Sequence, residues 1–327
     1  MILSGTSFVT GALGQDGFIL CHRLRELGAQ VVAVTRPNGH PVARREALTT
    51  LGCQVIELDL GYATAIADLV AAIRPRHIFH LAAAHHSSDS DPETLENWRS
   101  MLAVNFAATD SLARTAIEIN LDCSFIYASS SQIWTARKLQ HRANETTPVE
   151  PATFYGHTKI WATDLLYQYR IHHGLRASVA VLFNHESPWR APSFVSRKIT
   201  MAAARAACGD REILQLVNLG SCVDWQAATD VVEGFLLRAN ADVPDNYVLA
   251  SGRSHSIREF VEIAYRHVGL DWKAFVSAKR DEPGPALIGM PDKAVRQLAW
   301  RPRQKFDDLV CNMVDADIAR LRGEKLV

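Results

Sequence analysis

Short, wholly apolar runs alternate along the first half of the chain with longer segments whose apolar positions recur every three or four residues. Phe8-Val9-Thr10 leads into the turn TGALGQDG, after which Ile19, Leu20, Leu24 and Leu27 share one face of a helix over 18–28. Further runs of strand length are Gln30–Val34, Gln54–Leu58, His77–Leu81, Ser124–Ala128 and Ala177–Leu182. Helical periods separate them over Ala63–Arg74, 94–120 and 157–172. Continuous apolar strands alternating with helices predict a parallel sheet buried on both faces. After Phe183 the texture changes to Pro-rich and charge-rich stretches such as HESPWRAPS and KRDEPGPALIGMP. A smaller C-terminal lobe of loops and helices is expected there. The boundary falls at 1–182 and 183–327, with some of the later segments returning to the first domain.

With 327 residues, 48% of them apolar, the chain exceeds the size of one comfortable core, which fits two lobes. The 35 basic residues balance the 35 acidic ones, so no overall field draws the chain to nucleic acid or an anionic membrane. Local groups must therefore hold any anionic ligand. No apolar run approaches the roughly 18 residues of a membrane span, and the six dispersed cysteines show no CxxC. A soluble protein of the reducing cytoplasm, with neither membrane nor nucleic-acid partner, is expected. No HExxH occurs, and His85-His86 and His172-His173 are adjacent pairs whose side chains diverge, so no metal site is expected. His77 and His80 fall on a buried strand and read as core histidines. One of His85 and His86, just beyond that strand, is expected to reach substrate.

Gly11, Gly14 and Gly17 form TGxxGxxG between the first strand and the first helix. One glycine permits the tight turn, one lets the backbone approach a pyrophosphate, and one lets the helix pack on the strand. With its flanking elements this is a dinucleotide fingerprint. It makes the expected fold a Rossmann-type doubly wound parallel sheet carrying a smaller C-terminal substrate-binding lobe. Arg36 ends the second strand where NAD-specific sites usually place a carboxylate, so NADP(H) is expected over NAD(H), with Arg44 and Arg45 as helpers. The bland alternative is a solvated loop arginine. Asp59 ends the third strand, either accepting from the adenine amine or capping the next helix.

Tyr155 and Lys159 stand four apart at a helix start, so their side chains share a face. An ammonium beside a phenol stabilises the phenolate and suits proton exchange with a substrate hydroxyl. The serines Ser129, Ser130 and Ser131 end an earlier strand and would meet that tyrosine above the carboxyl end of the sheet.

These residues resemble those of the extended short-chain dehydrogenases/reductases, and among them the GDP-mannose 4,6-dehydratases. TGALGQDG is similar to that family's TGxxGQDG, HLAAAHHS to NLAAQSHV, YGHTK to YGAAK, and LFNHESPWRAPSFVSRKIT to LFNHESPRRGxxFVTRKIT. VDWQAATDVVEG resembles RDWGHAxDYVEA, and HSIREFVE resembles HSVREFVE, so the likeness spans essentially the whole chain. It implies that Gly11, Gly14, Gln15, Asp16, Gly17, Arg36, Asp59, Leu60, Leu81, Ala82, Ala83, His185 and Arg190 contact NADP, together with the catalytic Tyr155 and Lys159. Ser130 would take the place of the family's threonine and share the substrate C4 oxygen with Tyr155. Asn184, Lys198 and Arg280 would face the diphosphate and nucleoside of a GDP-sugar, although the alignment around Arg280 needs a deletion. The resemblance also implies a homodimer through the helices near 94–120 and 157–172, or a homotetramer through the Arg44-Arg45 loop.

The pattern breaks where the family reads STSELYG and this chain reads Ser129-Ser130-Ser131-Gln132-Ile133-Trp134-Thr135. In a dehydratase, hydride leaves C4, the new ketone acidifies C5–H, and a carboxylate removes that proton and helps the C6 hydroxyl depart. The carboxamide of Gln132 carries no proton near neutral pH, and loss of such a group costs about 10²–10⁴-fold. Val223 likewise replaces the arginine of RDWG. Three readings follow: a C4 oxidoreductase such as a 4-keto reductase; a dehydratase whose base is replaced by His157, His185 or Glu186; or a silent binding partner of an active enzyme. The intact Tyr155/Lys159 pair argues against the last.

Overall fold

The computed structural model describes residues 4–39, 41–85, 94–136 and 141–324. Seven parallel strands form the central sheet: β1 (Thr6–Thr10), β2 (Gln30–Thr35), β3 (Gln54–Glu57), β4 (His77–His80), β5 (Ser124–Ser130), β6 (Arg176–Leu182) and β7 (Asn246–Leu249). Their spatial order is β7-β6-β5-β4-β1-β2-β3, so the chain reverses direction across the sheet between β1 and β4. That reversal opens a crevice beyond the carboxyl ends of the strands, where such sheets bind ligands.

Successive residues of each strand enter opposite layers. Val9, Phe79 and Ile126 pack with Leu20 and Leu24 of α1 (Gln15–Glu26) and with Phe235 of α8 (Ala228–Ala239), while Phe8, Ile78 and Phe125 face the other side. There they meet Val70 of α3 (Ala63–Ile73), Leu112 of α5 (Ala108–Glu118) and Leu166 of α6 (Phe154–His173). Burial on both faces explains why these strands read as continuous apolar runs. Helix α2 (Val42–Thr50) lies between β2 and β3, and α4 (Leu95–Met101) precedes α5.

A third core joins α7 (Val195–Ala207), α9 (Ile257–His267) and α11 (Phe306–Leu321) through Ile199, Phe260, Tyr265, Val310 and Met313. A two-stranded parallel ribbon, 214–218 with 276–280, completes that lobe. The chain crosses between the lobes more than once. Strand β7 pairs with β6, and Trp300, beyond α10 (Asp292–Leu298), packs in the α1/α8 layer and donates its indole N–H to the Asp230 carbonyl. No helix among the described residues is long and apolar enough to cross a membrane.

Two elements depart from their local periodicity. The single helix expected over 94–120 is divided by a π-helical segment at Leu102–Ala107, within which Asn105 is fully buried. Helix α6 begins at Phe154 rather than at 157, because the Thr153 hydroxyl accepts the Gly156 N–H at 3.0 Å and caps it.

Candidate active site

The glycine turn closes on the loop after β4. Gly11 has φ +69°, and a Cβ there would lie 2.8 Å from the Ala82 nitrogen; at Gly17 a Cβ would lie 2.3 Å from the Gly11 carbonyl oxygen. The Thr10 hydroxyl accepts the N–H groups of Leu81 and Ala82, both at 3.2 Å, and meets His80 Nδ1 at 2.8 Å. Burial depresses the His80 imidazole to about 3 and His77 to about 4, so both stay neutral in the sheet. Gly14 precedes α1, and no side chain caps that helix. A glycine-lined turn, with the Ala12 and Leu13 side chains buried, against an uncapped helix N-terminus fits a dinucleotide pyrophosphate.

Gln15 and Asp16, which follow the second glycine, tie this turn to the segment at 184–190. Gln15 donates to the His185 carbonyl at 2.9 Å and accepts from Ser187 at 2.8 Å. His185 presents Nδ1 to the Phe183 carbonyl at 2.7 Å and Nε2 to the Asp16 carboxylate at 2.9 Å. Both ring nitrogens face acceptors, which calls for the imidazolium. Burial disfavours both charges, but their attraction outweighs it, so His185 is raised and Asp16 lowered from their ordinary values. The adjacent Arg190 pairs with buried Glu186 at 3.2 Å and lies over the Phe194 ring.

Of the other residues expected at the cofactor, Arg36 stands exposed just beyond β2. Asp59 is also exposed and accepts the Gly61 N–H at 2.8 Å; α3 is capped by Tyr62 instead, so Asp59 is not its N-cap. Leu60 packs partly buried against the α3/α5 layer, and Ala83, after half-buried Ala82, is exposed. The expectation of Arg44 and Arg45 as phosphate helpers needs correction. Arg44 turns inward and donates to the Leu13 and Trp189 carbonyls at 2.7 and 2.6 Å, while Arg45 pairs with Glu57. Trp189 packs edge-on against Phe18 of α1.

Tyr155, Lys159 and Ser130 come together above the end of β5. Lys159 is fully buried, donates to the Ala128 carbonyl at 2.8 Å and lies 5.5 Å from the Tyr155 ring centroid. Burial draws its ammonium down to about 7. Burial also pushes the Tyr155 phenol up to about 12, against the opposing pull of a hydrogen bond to Ser130 and of the Arg190 charge. The turn that carries Ser130 and Gln132 packs directly on α6. A Cβ at Gly156 would lie 2.3 Å from the Gln132 carbonyl oxygen, so the glycine after the tyrosine is what allows this approach.

Sequence reasoning missed Asn105. Its carboxamide accepts the Ala84 N–H at 2.8 Å and donates to the Ala84 carbonyl at 2.9 Å and to Thr158 at 3.1 Å. It thereby bolts the loop after β4 to the turn of α6 that bears Lys159. The available signal was an asparagine, a poor helix former, inside an apolar helical stretch.

Gln132 sits at the mouth. Its Oε1 accepts from Thr153 at 3.1 Å, and its Nε2 lies 3.3 Å from His85 Nε2. The His85 ring packs edge-on against Tyr155, with centroids 4.7 Å apart. The replacement bases weighed from sequence are engaged elsewhere: His157 packs on Trp161 along an exposed face, His185 is held by Asp16, and Glu186 is buried against Ser196 and Arg190. His86 lies outside the described residues.

Of the residues expected to meet substrate, Lys198 helps line a cavity of about 400 Å³ with Met201, Arg205, Leu214 and Gln215. Arg280 is exposed at the opposite end of the 214–218/276–280 ribbon and is not among that cavity's walls. Asn184 is exposed and opens a short strand paired with 225–227.

Against known proteins, the family model described as GDP-mannose 4,6 dehydratase matches residues 8–313. The GDP-mannose 4,6 dehydratase 1 of Arabidopsis thaliana is 31% identical over 338 residues, covering 98% of this chain and 92% of the relative. Among solved structures, the UDP-glucose 4-epimerase of Thermotoga maritima with UDP-glucose superposes with a TM-score of 0.84 at 20% identity, covering 98% of this chain and 100% of the other. The dTDP-glucose 4,6-dehydratase of Bacillus anthracis in complex with NAD gives a TM-score of 0.82 at 15% identity, covering 95% and 96%. At these identities the two structures speak to the fold.

Proposed function

The chain belongs to the GDP-mannose 4,6-dehydratase family of nucleotide-sugar short-chain dehydrogenases/reductases, and from that premise we propose that it exchanges hydride between NADP(H) and C4 of a GDP-linked sugar, acting as a 4-keto reductase or C4 oxidoreductase. The observation that carries this reading is the Ser130–Tyr155–Lys159 cluster with a carboxamide, Gln132, in the place of the family's carboxylate.

The bound nicotinamide supplies or accepts the hydride. Tyr155, kept protonated by burial, donates its proton to the oxygen that develops at C4 during reduction. Ser130 shares that oxygen, and the nearby Lys159 ammonium offsets the phenolate left behind. Arg36, exposed beyond β2, supports the choice of NADP(H) over NAD(H), since a 2′-phosphate needs a cation there. Asn184 and Lys198 are assigned to the diphosphate and nucleoside, and Arg280 to the outer rim of that site. Exposed Leu95, Trp98, Trp161 and Ile171 on α4 and α6 support a homodimer through those helices.

The test offers the protein NADP⁺ with GDP-mannose, and separately NADPH with the GDP-4-keto-6-deoxy sugar, following NADPH absorbance and product mass. NADPH consumption on the keto sugar, faster than NADH consumption, is the expected result. Silence with both substrates overturns the reading. A product one water lighter with no net NADPH would show elimination instead of a reaction confined to C4.

A further inference from the structure

Two departures from the family's segments touch each other: Gln132 stands where STSELYG has glutamate, and His85 where NLAAQSHV has serine. An ionisable ring has entered the site where a carboxylate left it. We propose that His85 is a second acid–base residue of this site, exchanging the proton on C5 of the 4-keto sugar while Gln132 positions its ring. The proposal rests on the C4 reading above, which supplies the ketone that acidifies C5–H.

The hydrogen-bond chain assigns the protons. Thr153 uses an oxygen lone pair to accept the Gly156 N–H, and its own hydroxyl proton goes to Gln132 Oε1. The amide N–H₂ is then directed at His85 Nε2, which presents a lone pair and so belongs to a neutral imidazole. The T-shaped contact sets the His85 ring against that of Tyr155, whose phenol holds the C4 oxygen, one carbon from C5. With the sugar bound, C5–H takes the place of the Gln132 amide at Nε2; the C5–H bond then breaks, its proton passes to the lone pair so freed, and its electron pair moves into the C4 carbonyl as an enolate held by Tyr155 and Ser130. Return of a proton from the imidazolium to C5 closes the exchange without any change of oxidation state. A carboxamide suits this partner. By rotating it presents N–H₂ to the neutral ring or C=O to the protonated one, so it supports both states without carrying the proton.

The experiment incubates wild type, His85→Ala and the double variant His85→Ala/Gln132→Glu with NADP⁺ and the GDP-4-keto-6-deoxy sugar in D₂O. Deuterium at C5 is read by NMR, and NADPH oxidation on the same sugar is measured in parallel. Wild type is expected to exchange C5 well above the enzyme-free rate. H85A should lose about 10²–10⁴-fold of that exchange but less than about tenfold of NADPH oxidation, a split that general misfolding would not produce. The double variant, which restores the carboxylate, should recover much of the exchange. Exchange by H85A at the wild-type rate overturns the proposal, as does a wild type that oxidises NADPH without exchanging C5. Exchange without NADPH oxidation overturns the C4 reading and leaves His85 in place, and absence of both activities overturns both.

Discussion

Replacing Lys159 by methionine is expected to change activity and stability in opposite directions. The ammonium is 2% exposed, and burial lowers its pKa from 10.5 to about 7. The unfolded chain therefore binds more protons than the native one between those values, and wild-type stability rises with pH across that window. Below about pH 7 the native state carries the full penalty, about 5 kcal/mol at roughly 1.4 kcal/mol per pH unit. Methionine has similar length and no charge, but it forfeits the bond to the Ala128 carbonyl, a loss of about 1–3 kcal/mol. The net gain for Lys159→Met is then about 2–4 kcal/mol near pH 6, shrinking to about zero near pH 9, where the penalty has fallen to about 2 kcal/mol. Hydride transfer should fall at least about 10²-fold, because the phenolate loses its counter-charge. Urea unfolding of both proteins without ligand at the two pH values, followed by circular dichroism, measures the difference. A variant less stable than wild type near pH 6, or a difference that does not shrink as pH rises, would refute the reasoning.

Asn105→Ala strands the Ala84 N–H and carbonyl and should cost about 2–4 kcal/mol, with loss of hydrogen-exchange protection at Ala84; a variant within about 0.5 kcal/mol of wild type contradicts the bolt assigned to it. Gly156→Ala drives a Cβ into the Gln132 backbone, so a loss of about 1–3 kcal/mol and a drop of about tenfold or more in NADPH oxidation are expected by urea unfolding and initial rates. The Asp16–His185 pair makes a pH-dependent contribution. His185, raised from 6.5, contributes fully below that value and loses its share as pH climbs through the raised pKa; Asp16, lowered from 3.8, contributes above 3.8 and loses its share in stronger acid. Wild type should therefore exceed Asp16→Asn most between about pH 4 and 6.5, and a stability difference that is flat from there to about pH 9 would exclude this ion pair.

Periodicity and spacing along the chain determined a large part of this protein. Apolar runs located six of the seven sheet strands, because burial on both faces leaves its mark on consecutive residues. Three glycines at three-residue intervals announced the turn, and a four-residue interval placed Tyr155 and Lys159 on one helix face, because each depends only on local backbone geometry. The family segments likewise pointed to the relatives whose model spans residues 8–313.

Tertiary structure decided what depends on partners distant in sequence. The seventh strand, 246–249, gains its place from pairing with β6 rather than from any run long enough to stand out. Arg44 was expected as a helper of Arg36, yet carbonyls 31 and 145 residues away turn it inward. Asn105 is buried four residues after Met101 and three before Ala108, yet only the fold brings the Ala84 backbone and Thr158 to its carboxamide. Gln132 meets His85 across 47 residues, a contact set by the order of β4 and β5 in the sheet. Local rules specify which element a residue joins and which face it occupies; the order and hand of the sheet determine which faces meet, and the chemistry of this site lies where they do.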